Sequence, residues 1–425
     1  MAVRRRYLGA TAAGVATVFA FSLTSCSTPF GDDEVTLKLV AADYGDGPAN
    51  SSTHYWAALT KAFEKKNPDI KVDVDVYNWK DVDRKVADLV KAGHAPDMAQ
   101  AGAYADYAAA DKLYSADDLL SIPVQGDIVA SLAQAGEYHE TEYGMPFAAS
   151  TRRLFYNKKL FAEAGIAHPP QTWSEVARDA QLLKDHGVAV PFGLPLGPEE
   201  TQAETMMWML GGGGSYTDTT GGYAINSTDN IRTFEWVRDH LVKPGLTGTA
   251  PATTNRQDSF NAFTAGKVGM LDGHPTLIRQ AAAKGLDYGT APLPGINGNG
   301  HPTLGVSDWM MAFKQPDHRQ QVGKFLDFVY RKENVEKFSA EYNLLPVTSS
   351  ASQAMAADDR FRSLHGFLTQ LGGAEFYPAD KTTWPMVSRL VKARMGKAVA
   401  PDGNPAGTLN EIQKAADEAE QRDMS

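Results

Sequence analysis

The chain is almost without cysteine: Cys26 is the only thiol in 425 residues. A lone thiol excludes an internal disulfide, a Cys-x-x-Cys redox pair and a cysteine-based zinc cluster. Long apolar runs are missing too. The longest uncharged apolar stretch, residues 10–23, falls short of the roughly 20 residues that span a bilayer. Basic residues do not outnumber acidic ones; 41 Lys and Arg against 51 Asp and Glu give a net charge of −10. Residues 1–25 hold three Arg and no acid, so the remainder stands at −13. An acidic body argues against nucleic acid and against direct adhesion to anionic lipid. The ten histidines show no His-Glu-x-x-His spacing for zinc. Gly211 to Gly214 are not followed by Gly-Lys-Ser/Thr, which removes a phosphate-cradling loop. No Gly-x-Ser-x-Gly elbow is present, and no pair of the many acids stands out as a glycosidase couple. No catalytic residue, metal or cofactor is therefore assigned.

What is present begins at the amino end. Arg4, Arg5 and Arg6 precede the apolar run, and the run closes on small residues. That is the plan of a secretory signal peptide. Leu23-Thr24-Ser25-Cys26 resembles the lipobox of bacterial lipoproteins. The resemblance implies cleavage before Cys26 and acylation of its thiol, so residues 1–25 are expected to be removed. Several acyl chains anchor far more firmly than one. Residues 26–34, polar with Pro and Gly, read as a lipid-anchored tether. Arg4-Arg5-Arg6-Tyr7-Leu8 also resembles a twin-arginine export motif.

The remaining 400 or so residues, in a chain with 43% hydrophobic content, suggest two domains. Val35, Leu37 and Leu39 alternate as in a strand, and Trp56, Leu59 and Phe63 follow at helical spacing until Pro68. Ile70, Val72, Val74 and Val76 alternate again. Val82, Val86, Leu89 and Val90 form a second helical stripe, ended by Gly93, and residues 95–102 read as a third strand and loop. Strands separated by helices build a parallel sheet, with ligands held by loops at the strands' carboxyl ends. Those loops carry Asp43, Tyr44, Trp79, Gly102 and Tyr104. Asp43 also suits a turn beside Gly45. A second unit starts near Tyr143. Its strand at 146–156, capping box Thr172-Trp173-Ser174-Glu175, strand and turn at 188–196, and block at 260–274 keep the same alternation. Residues 304–313 read as a further strand, after which helices dominate.

Five blocks in order carry a wider resemblance: Pro96-Asp97-Met98; Met145-Pro146-Phe147 with Leu154-Phe155-Tyr156-Asn157-Lys158; residues 263–273; Gly305 to Phe313; and Leu344-Leu345-Pro346-Val347. With them the chain resembles the extracellular solute-binding proteins of bacterial ABC importers, in the group that includes maltose-binding protein. That implies an α/β fold of two hinged lobes, type II, with a ligand cleft between them. Residues 35–139 and 291–330 are expected to form the amino-terminal lobe, and 140–290 and 331–425 the carboxyl-terminal one. The crossings are expected near 138–143, 289–293 and 329–333. The resemblance further implies a monomer that binds a sugar or polyol and delivers it to a membrane permease without chemical change. Its expected place is the outer face of the cell membrane, where Cys26 holds it.

Sugars need aromatic platforms and a few strong hydrogen-bonding groups. Trp79, Tyr104, Trp208, Trp309 and Trp384 are candidate platforms, with core packing the competing reading for each, above all for Trp309 in its apolar run. Trp384 matches the group's late cleft tryptophan. Arg152 matches an arginine ahead of the Leu-Phe-Tyr-Asn strand and offers five fixed donors. Ser307 and Asp308 follow the Gly305 turn, and Gly273 and His274 close the 263–273 block. Pro275 stands where relatives often place an aromatic, which favours a small sugar or polyol over a long oligosaccharide. A surface-anchored carbohydrate-active enzyme, or a binder of a phosphorylated solute such as a glycerophosphodiester, or of a peptide, are the alternatives.

Overall fold

The computed structural model describes residues 34–45 and 47–423, so Cys26, its lipobox and nearly all of the tether lie outside the described residues. Among the described residues eleven strands follow in order: β1 (Val35–Ala42), β2 (Ile70–Tyr77), β3 (Met98–Ala101), β4 (Glu137–Tyr138), β5 (Thr141–Glu142), β6 (Met145–Thr151), β7 (Arg153–Asn157), β8 (Val190–Gly193), β9 (Val268–Gly273), β10 (Tyr288–Ala291) and β11 (Gly305–Ala312). Two sheets hold most of them, in the orders β2-β1-β3-β11-β6 and β10-β7-β9-β8, while β4 and β5 form a separate hairpin.

The first sheet starts as the alternation predicts. β1 runs parallel to β2, Val35 opposite Ile70, and parallel to β3, Leu39 opposite Met98. Both faces of β1 are covered. Leu37, Leu39 and Ala41 pack with Trp56, Leu59 and Phe63 of the helix Ser52–Glu64, whereas Val40 and Ala42 pack with Val82 and Val86 of the helix Val82–Lys91. Coverage on both faces is what parallel strands require. The sheet is mixed rather than purely parallel, because β11 returns late in the chain and pairs antiparallel with both β3 and β6.

The crossings fall elsewhere than the sequence suggests. β6 pairs within the first sheet as far as Thr151, and β7 pairs within the second from Arg153. The first crossing is therefore Arg152, not 138–143, and residues 140–151 belong to the first lobe. The second lies between β10 and β11, slightly beyond 289–293. The third is not at 329–333. Phe338 and Tyr342, on the helix Lys332–Tyr342, pack on Tyr44 and Phe147 of the first lobe. Leu345 bridges Ala149, Thr348 bridges Ile128, and the Ser350 amide donates to Asp127. Residues 331–371 thus complete the first lobe. The helices Trp384–Ala398 and Pro405–Asp423 cover the second, so the crossing lies near Glu375, which bridges Leu304. A helical stripe shows that a face is buried but not which sheet it covers; that is why the sequence misplaced these helices.

Candidate binding site between the lobes

A cavity of about 140 Å³ opens between the lobes. Its wall includes Gly102, Asp106, Ser307, Asp308 and Trp309 from the first lobe and Phe376, Tyr377, Lys381 and Trp384 from the other side. The volume is below the roughly 300–1,000 Å³ of drug-sized sites and suits one small ring. A larger groove of about 850 Å³ runs along the outer face of the first lobe past Asp118, Arg319 and Asp327, with no aromatic ring in its wall.

Local structure aims the first-lobe groups. The pairing of β11 with β6 slips between Asp308 and Trp309, so that Asp308 faces Ala148 and Trp309 faces Pro146. Such a bulge re-aims side chains, and Pro146 has no amide proton to lose there. The Tyr44 hydroxyl donates to Asp308 Oδ2 at 2.8 Å and accepts from Gln100 Nε2 at 2.7 Å. Burial pushes the Asp308 carboxyl up to about 7 against the opposing effect of the Tyr44 bond. Ser307 Oγ donates to the Ala148 carbonyl at 3.2 Å. The Gly102 amide donates to Asp83 Oδ1 at 2.9 Å, and a Cβ at Gly102 would stand 3.2 Å from that carboxylate.

On the other wall, Trp384 opens its helix with Pro385 in the first turn, where a missing amide proton does no harm. Its ring stacks on Tyr377, centroids 5.4 Å apart and planes at 24°, and meets Tyr216 edge-on at 4.8 Å. Lys381 pairs with Glu420.

A second polar network surrounds the first crossing. Arg152, 3% exposed, donates to Ser150 Oγ and to Glu200 Oε1, both at 2.9 Å. Glu200 also meets Arg256 Nε at 2.6 Å, and Arg256 meets Glu199 at 2.5 Å and His274 Nε2 at 3.2 Å. Burial first, then the Arg152 and Arg256 charges, hold the His274 imidazole well below its usual range, so it is neutral at neutral pH. Burial pushes Asp272 up to about 7. Burial and then the Asp272 charge push Glu204 well above the carboxylate range. Between Asp272 and His274, Gly273 leaves no room for a side chain: a Cβ would lie 2.8 Å from the Phe155 ring.

Of the residues singled out from sequence, Gly102, Ser307, Asp308, Trp309 and Trp384 meet at the cavity, with Tyr44 behind Asp308. Arg152 and His274 meet in the network around Glu200. Others lie apart from the cavity. Asp43 is committed to its loop, accepting from the amides of Gly45 (3.0 Å) and Ser52 (2.8 Å) and from the Ser51 hydroxyl (2.8 Å). Trp79 is 37% exposed and packs edge-on to Tyr44. Tyr104 is fully buried against Trp309, its one hydroxyl proton shared between the carbonyls of Ala135 and Glu137 at 2.9 and 2.8 Å. Trp208 lies in the second lobe's core against Trp173 and Phe192, its indole donating to Glu204. Sequence reasoning missed Phe376 and Tyr377, although an aromatic pair just upstream of Trp384 was a usable signal. It also missed Gln100, Glu200, Arg256 and Lys381, which no local pattern marks. Among the described residues no group of three or more His, Cys, Asp and Glu is placed to hold a metal ion, and no helix is long and apolar enough to cross a membrane.

The family profile of bacterial extracellular solute-binding proteins matches residues 49–336. A binding protein of Brucella abortus (strain 2308) is 27% identical over 397 residues, 91% of this chain and 93% of its own. The sn-glycerol-3-phosphate-binding periplasmic protein of Rhizobium meliloti (strain 1021) is 28% identical over 226 residues, half of each chain. Among solved structures, the sugar-binding protein MalE of Xanthomonas citri superposes with a TM-score of 0.76 at 20% identity, covering 92% of this chain and 98% of that one. That likeness establishes the two-lobed α/β fold.

Proposed function

Because this chain belongs to the bacterial extracellular solute-binding protein family, we propose that it is a receptor that takes one small sugar or polyol into the interlobe cavity and hands it to an ABC permease. The observation that carries this reading is the cavity's two-sided chemistry. The stacked rings of Trp384 and Tyr377 offer an apolar platform, and Asp308 and Ser307 offer polar atoms from the opposite lobe. A pyranose ring presents the same division, apolar faces and a rim of hydroxyls. A ligand that touches both lobes stabilises their closed arrangement, so capture and closure are one equilibrium. The permease then reads the closed form. Acylation of Cys26 would keep the receptor at the outer face of the membrane, as a monomer on a short tether.

A phosphorylated solute is the second reading, favoured by the half-length similarity to a glycerol-3-phosphate-binding protein. The cations near the cavity are already paired: Arg152 with Glu200, Arg256 with Glu199 and Glu200, and Lys381 with Glu420. That pairing supports an uncharged or cationic solute over a phosphate.

A thermal-shift screen of residues 27–425 against monosaccharides, disaccharides, polyols and glycerol 3-phosphate tests the reading. Ligand at 100 times its Kd adds about 2.7 kcal/mol of stability, and the solute should be recovered unchanged. Trp384→Ala should weaken binding of the hit about five- to thirtyfold, since one stacked ring is worth on the order of 1–2 kcal/mol, while the protein stays folded. A hit that is consumed, or that binds Trp384→Ala as well as the parent, refutes the reading.

A further inference from the structure

Asp308 offers an open acceptor to the cavity. Two carboxylates stand on the cavity wall; Asp106 is open to solvent, whereas Asp308 is largely buried at the β11 bulge. Its Oδ2 accepts the Tyr44 hydroxyl, and among the described residues its Oδ1 has no hydrogen-bond or ion-pair partner. Oδ1 is not among the buried polar atoms that lack a partner, so it reaches the solvent of the cavity and can accept a donor from a solute. Here the nearby cations are held elsewhere. Lys381, the cation on this wall, is bound to Glu420, and the Arg152 and Arg256 guanidinium groups are held by Glu200 and Glu199. Across the cavity stand the rings of Trp384 and Tyr377, aromatic groups whose π systems attract positive charge. One open carboxylate oxygen on the wall opposite aromatic rings, in a space sized for one ring, is a site that a positive charge completes, and an ammonium group there would favour the ionised form of a carboxyl that burial pushes up to about 7.

We propose that the cavity selects a ring bearing a protonated amine, an amino sugar, whose ammonium group is held by Asp308 Oδ1 while the ring lies on Trp384 and Tyr377. This rests on the solute-receptor reading above and adds the charge of the solute to it. Asp308 is then a specificity-determining residue: it completes its bonds with an ammonium group, does so less well with a neutral hydroxyl, and repels a phosphate. The Tyr44–Gln100 chain behind it is a positioning element that fixes the carboxylate's orientation.

The test is isothermal titration of the full-length mature protein at neutral pH with D-glucosamine, N-acetyl-D-glucosamine, D-glucose, glucosamine 6-phosphate and glycerol 3-phosphate. Glucosamine is expected to bind at least about tenfold tighter than glucose and N-acetylglucosamine, as a charge-assisted hydrogen bond exceeds a neutral one. Asp308→Asn should abolish that preference and leave weak, equal binding of the sugars. Equal or tighter binding of the neutral sugars, or a preference that survives in Asp308→Asn, overturns the proposal and leaves the sugar-receptor reading intact. Binding of the phosphorylated compounds alone overturns both, and no binding of any of the five overturns the amine proposal. The comparison of glucosamine with N-acetylglucosamine in the unaltered protein decides the matter even where Asp308→Asn does not fold.

Discussion

Replacing Arg152 by methionine separates what this residue does for the fold from what it does for a solute. The side chain is 3% exposed and makes two hydrogen bonds of 2.9 Å, to Ser150 in the first lobe and to Glu200 in the second. Hydrogen bonds to charged groups contribute about 1.5–3 kcal/mol each. Methionine returns part of this by burying easily in the space of the stem. Removal does not strand Glu200, because Arg256 still meets its other oxygen at 2.6 Å. The loss should therefore be about 2–3 kcal/mol, below the 3–5 kcal/mol of an orphaned buried ion. For a folded body of this size that corresponds to a fall in Tm of about 2–4 °C. Urea titration followed by tryptophan fluorescence gives the free energy directly. The same change in an Arg256→Met background leaves Glu200 without either cation, and the double variant should lose at least about 1 kcal/mol more than the sum of the singles. A loss below about 0.5 kcal/mol for Arg152→Met, or simple additivity with Arg256→Met, would refute the view that the two guanidinium groups share one carboxylate.

Two other changes report on separate parts of the molecule. Tyr44→Phe removes the hydroxyl between Gln100 and Asp308; it should cost about 1–3 kcal/mol of stability through the unpaired buried amide and weaken ligand binding, and unchanged values in a urea titration and a binding isotherm would count against the chain described here. In the β4–β5 hairpin Glu142 lies directly opposite Glu137, and burial first, then the Glu137 and Asp117 charges, push its carboxyl up to about 8. A carboxyl raised in the folded state is favourable when protonated, so its penalty is absent below about 4.5 and grows as pH rises toward 8. Glu142→Gln should then stabilise the protein by about 1–2 kcal/mol at pH 8, after discount for residual solvent contact, and have no effect near pH 4; a pH-independent Tm difference would contradict this.

The parts of the fold legible in the sequence are those set by local periodicity. β1 and β2 alternate, the two early helices carry clean apolar stripes, and Thr172 and Glu175 form the capping box that their spacing announces. The crossings were not legible, because Thr151 and Arg153 sit in one extended stretch whose two halves differ only in the partners they find far along the chain. In the cavity, Gly102, Ser307, Asp308 and Trp384 could be picked out because strand ends and a proline-started helix fix where they point. Tyr104 and Trp208 are aromatic residues in similar settings, yet each ends in a core, since the destination of a ring is decided by what packs over it. Glu200 and Arg256 look like surface charges along the chain and become a network only in three dimensions.

The placement of β11 between β3 and β6 has a consequence for biosynthesis. While the chain is emerging from the ribosome, β3 and β6 have no partner on their facing edges until residues 305–312 are made, and the second sheet is translated in between. The earlier half of the molecule therefore cannot finish before the later half has been synthesised. Such non-local pairing is slow to form and leaves strand edges open to other chains in the meantime. A nascent chain of this kind depends on being kept apart from its neighbours for most of its own synthesis.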